Sequence, residues 1–238
     1  MTRLYLPQTL QEGQSLELPP AAARHVVQVL RLASGAGLTL FNGRGGEFEA
    51  VLERVGRRDA AVCVGAYHAV ERESNLQLTL AQCVSKGDRM DYGIQKAVEL
   101  GVHKIVPLLS ARSVVKLDAG RWHKKHDHWQ AVVASACEQC GRNRLPGVAA
   151  PLKLMDWLPQ SQGVRLILAP GAVAQLQSLP LAHAATLLVG PEGGFTAEEI
   201  TCAQERGCIP IGLGPRVLRT ETAGVATLAA LQALWGDF

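Results

Sequence analysis

Gly190-Pro191-Glu192-Gly193-Gly194 packs three glycines and one carboxylate into five residues, directly after the apolar, β-prone run 186–189. Glycine lets main-chain N–H and C=O groups come close to a ligand. The loop lacks the Lys-Ser/Thr of a phosphate-binding P-loop and the spacing of a dinucleotide fingerprint. It reads as a close-approach backbone site for something flat and polar. A second loop, residues 212–221, sets Arg219, Thr220 and Glu221 side by side after Gly212 and Gly214. Both loops leave the ends of short apolar strands, read here as adjacent, and such ends are where open α/β sheets bind ligands. The plainer alternative is two ordinary strand-to-helix turns.

Two other clusters suggest chemistry and do not sustain it. Cys137-Glu138-Gln139-Cys140 has redox spacing, but it sits near the end of a long helix, whereas reactive pairs open one. Zinc would need two more ligands, and no second Cys pair supplies them. His123, His126 and His128 are interleaved with Lys124, Lys125 and Asp127, which reads as a basic solvated face. No metal site is expected.

The elements around these residues can be placed by pattern. Thr196 with Glu199 three residues on is a capping box, opening a helix that ends near Gly207. Residues 209–213 form the next strand. Thr220 is the expected N-cap of a last helix, with Glu221 suited to its dipole. Residues 222–236 carry no charge, and Gly224, Leu228, Leu231 and Trp235 share a stripe, so a buried helix is expected. Upstream, residues 1–70 read as short strands around one helix (21–32), and the polar stretch 67–75 marks a boundary. From Leu76 strands alternate with helices (88–100 and 118–139 among them), the signature of a mostly parallel sheet.

Net charge is +3 over 238 residues, but it is unevenly spread. Residues 1–75 are neutral overall, 76–153 carry a net +6 and 154–238 a net −3. A basic middle third suits a polyanion, or is simply solvated surface. Six scattered cysteines, no secretory segment and no unbroken apolar span lead us to expect a reduced, cytoplasmic protein with no membrane partner.

GPEGGFTAEE (190–199) and LGPRVLRTETA (213–223), with KGDRMDYGIQKAVELGV (86–102) and SACEQCGRN (135–143), resemble the RsmE family. These are 16S rRNA uridine-N3 methyltransferases of the SPOUT superfamily, and the resemblance covers essentially the whole chain. It implies an α/β, SPOUT-type, mostly parallel sheet with a C-terminal trefoil knot (residues 71–238). A small N-terminal PUA-like RNA-binding β-barrel domain would occupy residues 1–70. Threaded chains are rare, so the knot rests on the resemblance alone.

The implied cofactor is S-adenosylmethionine. Its expected contacts are Leu168, Gly190, Glu192, Gly193, Gly194, Ile211, Leu213, Gly214, Leu218, Arg219, Thr220 and Thr222. The implied partners are 16S rRNA, within the assembled small subunit, and a second copy of the chain as a homodimer. Arg3, Arg24, Arg31, Lys86, Arg112, Lys116, Arg142 and Arg144 are candidate RNA contacts.

Methylating uracil N3 requires in-line positioning of the donor, loss of the N3 proton and a cation for the charge that spreads onto O2 and O4. Arg219 or Arg142 supplies the cation, and Glu138 or Glu221 the base; the residues alone leave these open. Where many relatives read Ser-Glu-Arg, this chain has Ser110-Ala111-Arg112, so any role of that glutamate falls to another residue. The alternatives are a SPOUT methyltransferase acting on another RNA, such as a tRNA ribose 2′-OH, and a non-catalytic RNA-binding assembly protein.

Overall fold

The computed structural model describes residues 2–114, 119–160 and 163–238, without the side chains of residues 119–121. The chain divides into two compact units, one of residues up to Glu73 with Cys137–Leu145, the other of Ser74–Ala136 with Pro146–Phe238.

In the first unit the strands are β1 (Thr2–Tyr5), β2 (Ser15–Glu17), β3 (Gly37–Phe41), β4 (Glu47–Val55) and β5 (Ala60–His68), in the order β1-β3-β4-β5-β2. Apart from the parallel β1–β3 pair, the ladders are antiparallel. Alternation in β4 turns Phe48, Ala50 and Leu52 inward, where they meet Leu4, Leu38, Leu40, Val62 and Val64. The expected helix over 21–32 is not continuous. Pro20 starts α1 (Pro20–Arg24), which widens at once into a π-turn, His25–Val29, and Arg31 follows at φ 52°. The β-branched Val26, Val27 and Val29 crowd a regular helical turn.

The second unit is a wholly parallel sheet with helices on it. Its first strands and helices are β6 (Gln77–Cys83), α2 (Asp88–Glu99), β7 (Lys104–Leu109), α3 (Ala119–Cys140), β8 (Gly147–Val148), β9 (Leu152–Lys153) and α4 (Leu154–Trp157). They are followed by β10 (Val164–Leu168), β11 (Ala184–Val189), α5 (Ala197–Glu205), β12 (Cys208–Ile211) and α6 (Thr220–Trp235). The last turn of α3, from Cys137, groups with the first unit.

The sheet runs β12-β10-β11-β6-β7-β8, with β9 also on β7. This corrects one expectation: β11 and β12, consecutive in sequence, are separated in space by β10, which pairs with both. The chain steps from β10 to one side and then returns across it to the other. That reversal puts a crevice at the carboxyl end of β10.

Two expectations for α6 are also corrected. Arg219 is its N-cap and Thr220 its first residue, because the Thr220 hydroxyl is drawn to another partner, the Gly190 carbonyl. Burial is confined to one face, Gly224, Thr227, Leu228, Leu231 and Gln232, while Leu234 on the other side is 43% exposed. Both buried polar side chains are satisfied. Thr227 donates to Ala223 O, and Gln232 joins Ser74 to Leu100 O. Among the described residues no helix is long and apolar enough to cross a membrane.

Candidate functional site

The capping box predicted at α5 is present: the Thr196 hydroxyl accepts from Glu199 N while Glu199 Oε2 accepts from Thr196 N at 2.9 Å. It fixes where the first glycine loop must end. Within the loop, Gly194 N donates to Pro191 O at 2.8 Å, closing a tight turn in which Gly194 adopts φ +67°. A Cβ on Gly190 would lie 3.3 Å from the Gly194 backbone and from the Phe195 ring, so a side chain here would press on the turn. Glu192 points the other way: its Oε1 accepts from Arg89 Nη1 at 2.9 Å and from Lys86 N at 3.3 Å. Burial would raise its pKa, but the main-chain N–H groups and the Arg89 guanidinium outweigh that and hold it below the usual carboxylate range.

The second loop closes over the first. Thr220 Oγ1 donates to Gly190 O at 2.6 Å and accepts from Gln82 Nε2 at 3.2 Å, so the start of α6, the glycine loop and the end of β6 meet at one hydroxyl. Between the loops lies a cleft of about 520 Å³, lined by both loops, by Leu168 at the end of β10 and Pro170 just beyond it, and by Arg89. A neighbouring cavity of about 230 Å³ shares Leu168, Pro170, Val217, Leu218 and Ala223 with it. Small-molecule sites are typically roughly 300–1,000 Å³, mostly apolar with a few convergent polar groups.

Of the expected cofactor contacts, Leu168, Gly190, Glu192, Gly193, Gly194, Leu218, Arg219 and Thr220 line the larger cleft. Ile211, Leu213 and Gly214 line the smaller one. Thr222 lines neither and points to solvent from the first turn of α6. Sequence reading missed Arg89, Pro170, Val217 and Ala223 as lining residues, and it gave Glu221 a different role. Arg89 had a signal, since it stands in the same KGDR run as Lys86. Val217 and Ala223 stand in the LGPRVLRTETA run, whereas the place of Pro170 depends on β10 lying between β11 and β12.

Of the other candidates, Arg3, Arg24, Arg31, Glu138, Arg142 and Arg144 belong to the first unit. Arg142 and Arg3 were expected to reach RNA; both guanidiniums here are turned to carboxylates of their own unit. The Arg142 guanidinium is 4% exposed and donates through Nε and Nη2 to both Glu73 carboxylate oxygens, at 3.0 and 2.5 Å. Arg3 is 12% exposed, donates to Glu47 at 2.5 Å and to Asn143 Oδ1 at 2.5 Å, and lies over the Phe41 ring. Buried guanidiniums need carboxylates, and here residues 47 and 73 supply them. Around Glu47, burial pushes the pKa up, but hydrogen bonds from Arg72, Arg3 and Asn143 win and bring it down to about 2.

Glu138 Oε1 accepts from Tyr5 N at 2.9 Å, and burial pushes its carboxyl up. Burial also pushes the Cys137 thiol up to about 12, opposite to what redox chemistry needs. Arg24, Arg31 and Lys86 are exposed, and exposed Arg144 lies 3.5 Å from Glu71. Arg112 Nη1 donates to Gly193 O. Lys116 lies outside the described residues. His126 turns to Val148 O and His128 to Asp91, so the histidine run does not converge.

A cradle of glycine main chain beside apolar Leu168, Val189, Leu218 and Ala223, edged by charges of both signs, fits an adenosine that carries an amino-acid tail. The sequence matches the RNA methyltransferase domain family over residues 72–232 and the RNA methyltransferase PUA domain family over residues 18–62. It is 34% identical to the ribosomal RNA small subunit methyltransferase E of Buchnera aphidicola over 238 residues, covering 99% of this chain and 97% of that one. The fold is similar to that of a Legionella pneumophila methyltransferase solved with its bound cofactor SAM (TM-score 0.97, 44% identity, 100% and 99% of the two chains). It is likewise similar to a Neisseria gonorrhoeae ribosomal RNA small subunit methyltransferase E bound to S-adenosyl methionine (TM-score 0.92, 40% identity, 100% and 99%).

Proposed function

This chain belongs to the ribosomal RNA small subunit methyltransferase E family, and from that premise we propose that it methylates N3 of a uridine in 16S rRNA. It is an S-adenosylmethionine-dependent rRNA methyltransferase. The observation that carries the reading is the cleft at the carboxyl end of β10, walled by two glycine loops that Thr220 and Gly190 tie together.

Bound S-adenosylmethionine supplies an activated methyl group on its sulfonium. The chain's own residues do the rest. Gly190, Gly193 and Gly194 present main chain to the cofactor, and Leu168, Val189, Leu218 and Ala223 give its flat part an apolar bed. Arg219, exposed at the N-cap of α6 and lining the cleft, is the cation for the charge that develops on O2 and O4. Arg142 is not assigned that role, because Glu73 already occupies it. Glu221 lines the same cleft and is the carboxylate best supported as acceptor of the N3 proton.

The remaining parts follow from the same family. The β10–β11–β12 crossover, with α6 packed back on β11, supports a chain threaded as a C-terminal trefoil knot. The uncovered side of α6, with Leu234, supports a homodimer, which light scattering would register. The first unit, with exposed Arg24 and Arg31, is assigned to RNA recognition, on small-subunit rRNA assembled with its proteins in the cytoplasm.

The test is transfer of labelled methyl from S-adenosylmethionine to small ribosomal subunits from cells lacking this protein, with mass mapping of the product. Label at a uridine N3 is expected; label on a ribose oxygen, or none, overturns the proposed target.

A further inference from the structure

Arg112 is one of the basic side chains that sequence pattern assigns to RNA, yet its guanidinium points at the glycine loop. Nη1 donates to Gly193 O at 2.8 Å and reaches Phe195 O at 3.4 Å. Its aliphatic stem lies along the same glycine: a Cβ on Gly193 would sit 3.4 Å from Arg112 Cβ and 3.5 Å from Cδ, ordinary van der Waals contact. The peptide that carries the Gly193 carbonyl also carries the Gly194 N–H, which closes the turn onto Pro191 O. A peptide unit is planar, so Arg112 and the turn grip one rigid plate from its two opposite edges.

The arginine is itself held. Ser113 N donates to Ser110 O at 3.1 Å, and Ser110 N donates to Ser113 Oγ at 3.0 Å, which closes the turn after β7. Between them Ala111 N donates to Glu199 Oε1 at 2.7 Å. Glu199 is 6% exposed, and its other oxygen accepts from Thr196 N at the start of α5. One buried carboxylate therefore fastens the turn that bears Arg112 to the residue where the glycine loop ends.

We propose that Arg112 is a positioning residue for the cofactor loop, fixing the Gly193–Gly194 peptide through its outer face, and that it is not a phosphate contact. The proposal rests on the assignment of residues 190–194 to S-adenosylmethionine.

The experiment uses the full-length chain as wild type, Arg112→Ala, Arg112→Lys and Glu199→Gln. Cofactor affinity is read by calorimetry, RNA affinity by a salt titration, and folding by thermal unfolding. Arg112→Ala is expected to weaken S-adenosylmethionine binding about 3- to 10-fold, the range of one lost exposed hydrogen bond. Its Tm and the log–log salt slope of RNA binding stay at wild-type values. Arg112→Lys, which keeps a donor, recovers part of the loss. Glu199→Gln shifts cofactor affinity in the same direction as Arg112→Ala, because the turn loses part of its anchor.

Wild-type cofactor affinity in Arg112→Ala overturns the proposal. So does an affinity loss that tracks a lower Tm and is not rescued by lysine. A salt slope reduced by about one unit returns Arg112 to RNA, since that is the mark of one phosphate contact. If the wild-type protein itself binds no S-adenosylmethionine, the loop assignment has failed rather than the role of Arg112.

Discussion

The hydroxyl of Thr220 donates to the carbonyl of Gly190 at 2.6 Å, joining the first residue of α6 to the first residue of the glycine loop across 30 positions of sequence. Because the same oxygen accepts from Gln82, Thr220→Val keeps the shape while removing the donor to the Gly190 carbonyl and one of the two acceptors of Gln82 Nε2, which keeps Cys83 O. Unmet groups of this kind cost about 1–3 kcal/mol each when buried, and less at this half-buried position. We expect cofactor affinity to fall by about tenfold, with Thr220→Ser close to wild type. Calorimetry that finds Thr220→Val unimpaired would remove the hydroxyl from the architecture of the site.

The loop's glycines are required for different reasons. At Gly194 a Cβ meets nothing within 4 Å but the backbone is left-handed, so Gly194→Ala pays only in conformation, about 1 kcal/mol. At Gly190 the added carbon comes within 3.3 Å of the Gly194 backbone and the Phe195 ring, so the turn itself has to shift. Gly190→Ala should therefore lose far more S-adenosylmethionine affinity than Gly194→Ala. Equal losses in parallel titrations would contradict this.

Arg219→Ala separates binding from chemistry. In the proposed role, this exposed cation at the cleft edge meets charge that exists only in the transition state, so its removal should lower the single-turnover rate by roughly 10²–10³. Affinities for cofactor and RNA should stay nearly constant. An unchanged rate at saturation would assign the cation elsewhere.

Glu47 predicts an acid limit. Its folded pKa, about 2, lies below the ordinary 4.5, so the ionised form is the one the fold favours. The stability it contributes is complete above pH 4.5 and fades as pH falls towards 2. Glu47→Gln should be less stable at neutral pH and show a flatter acid-unfolding profile over that window. Circular dichroism during acid titration measures this, and identical profiles for the two proteins would count against it.

Much of this site could be read from the sequence because it is written in local rules. Thr196 and Glu199 specify a capping box wherever they stand three apart before a helix, and the glycines announce a loop that needs main-chain access. The partners that come from distant positions were not legible. Nothing near Arg142 in sequence says that Glu73 will neutralise it, and nothing near Arg112 points to the Gly193 carbonyl. The same limit hid the place of β10 between β11 and β12, because strand order is decided by crossovers that leave no periodic trace. The uncharged run of α6 misled in another way. Its buried stripe admits Thr227 and Gln232, while apolar Leu234 stays outside.

The first unit draws one segment, Cys137–Leu145, from the middle of the chain, and that makes it an interrupted domain. A fragment cut after residue 73 would keep Glu73 and Glu47 but lose Arg142 and Asn143, which bind those carboxylates. It would also lose the strand bridge from Arg144 to Arg44. A ribosome making this protein releases about sixty residues of the second unit before the first can be completed. The N-terminal unit therefore gains the partners of Glu73 and Glu47 only once residues 137–145 have been made.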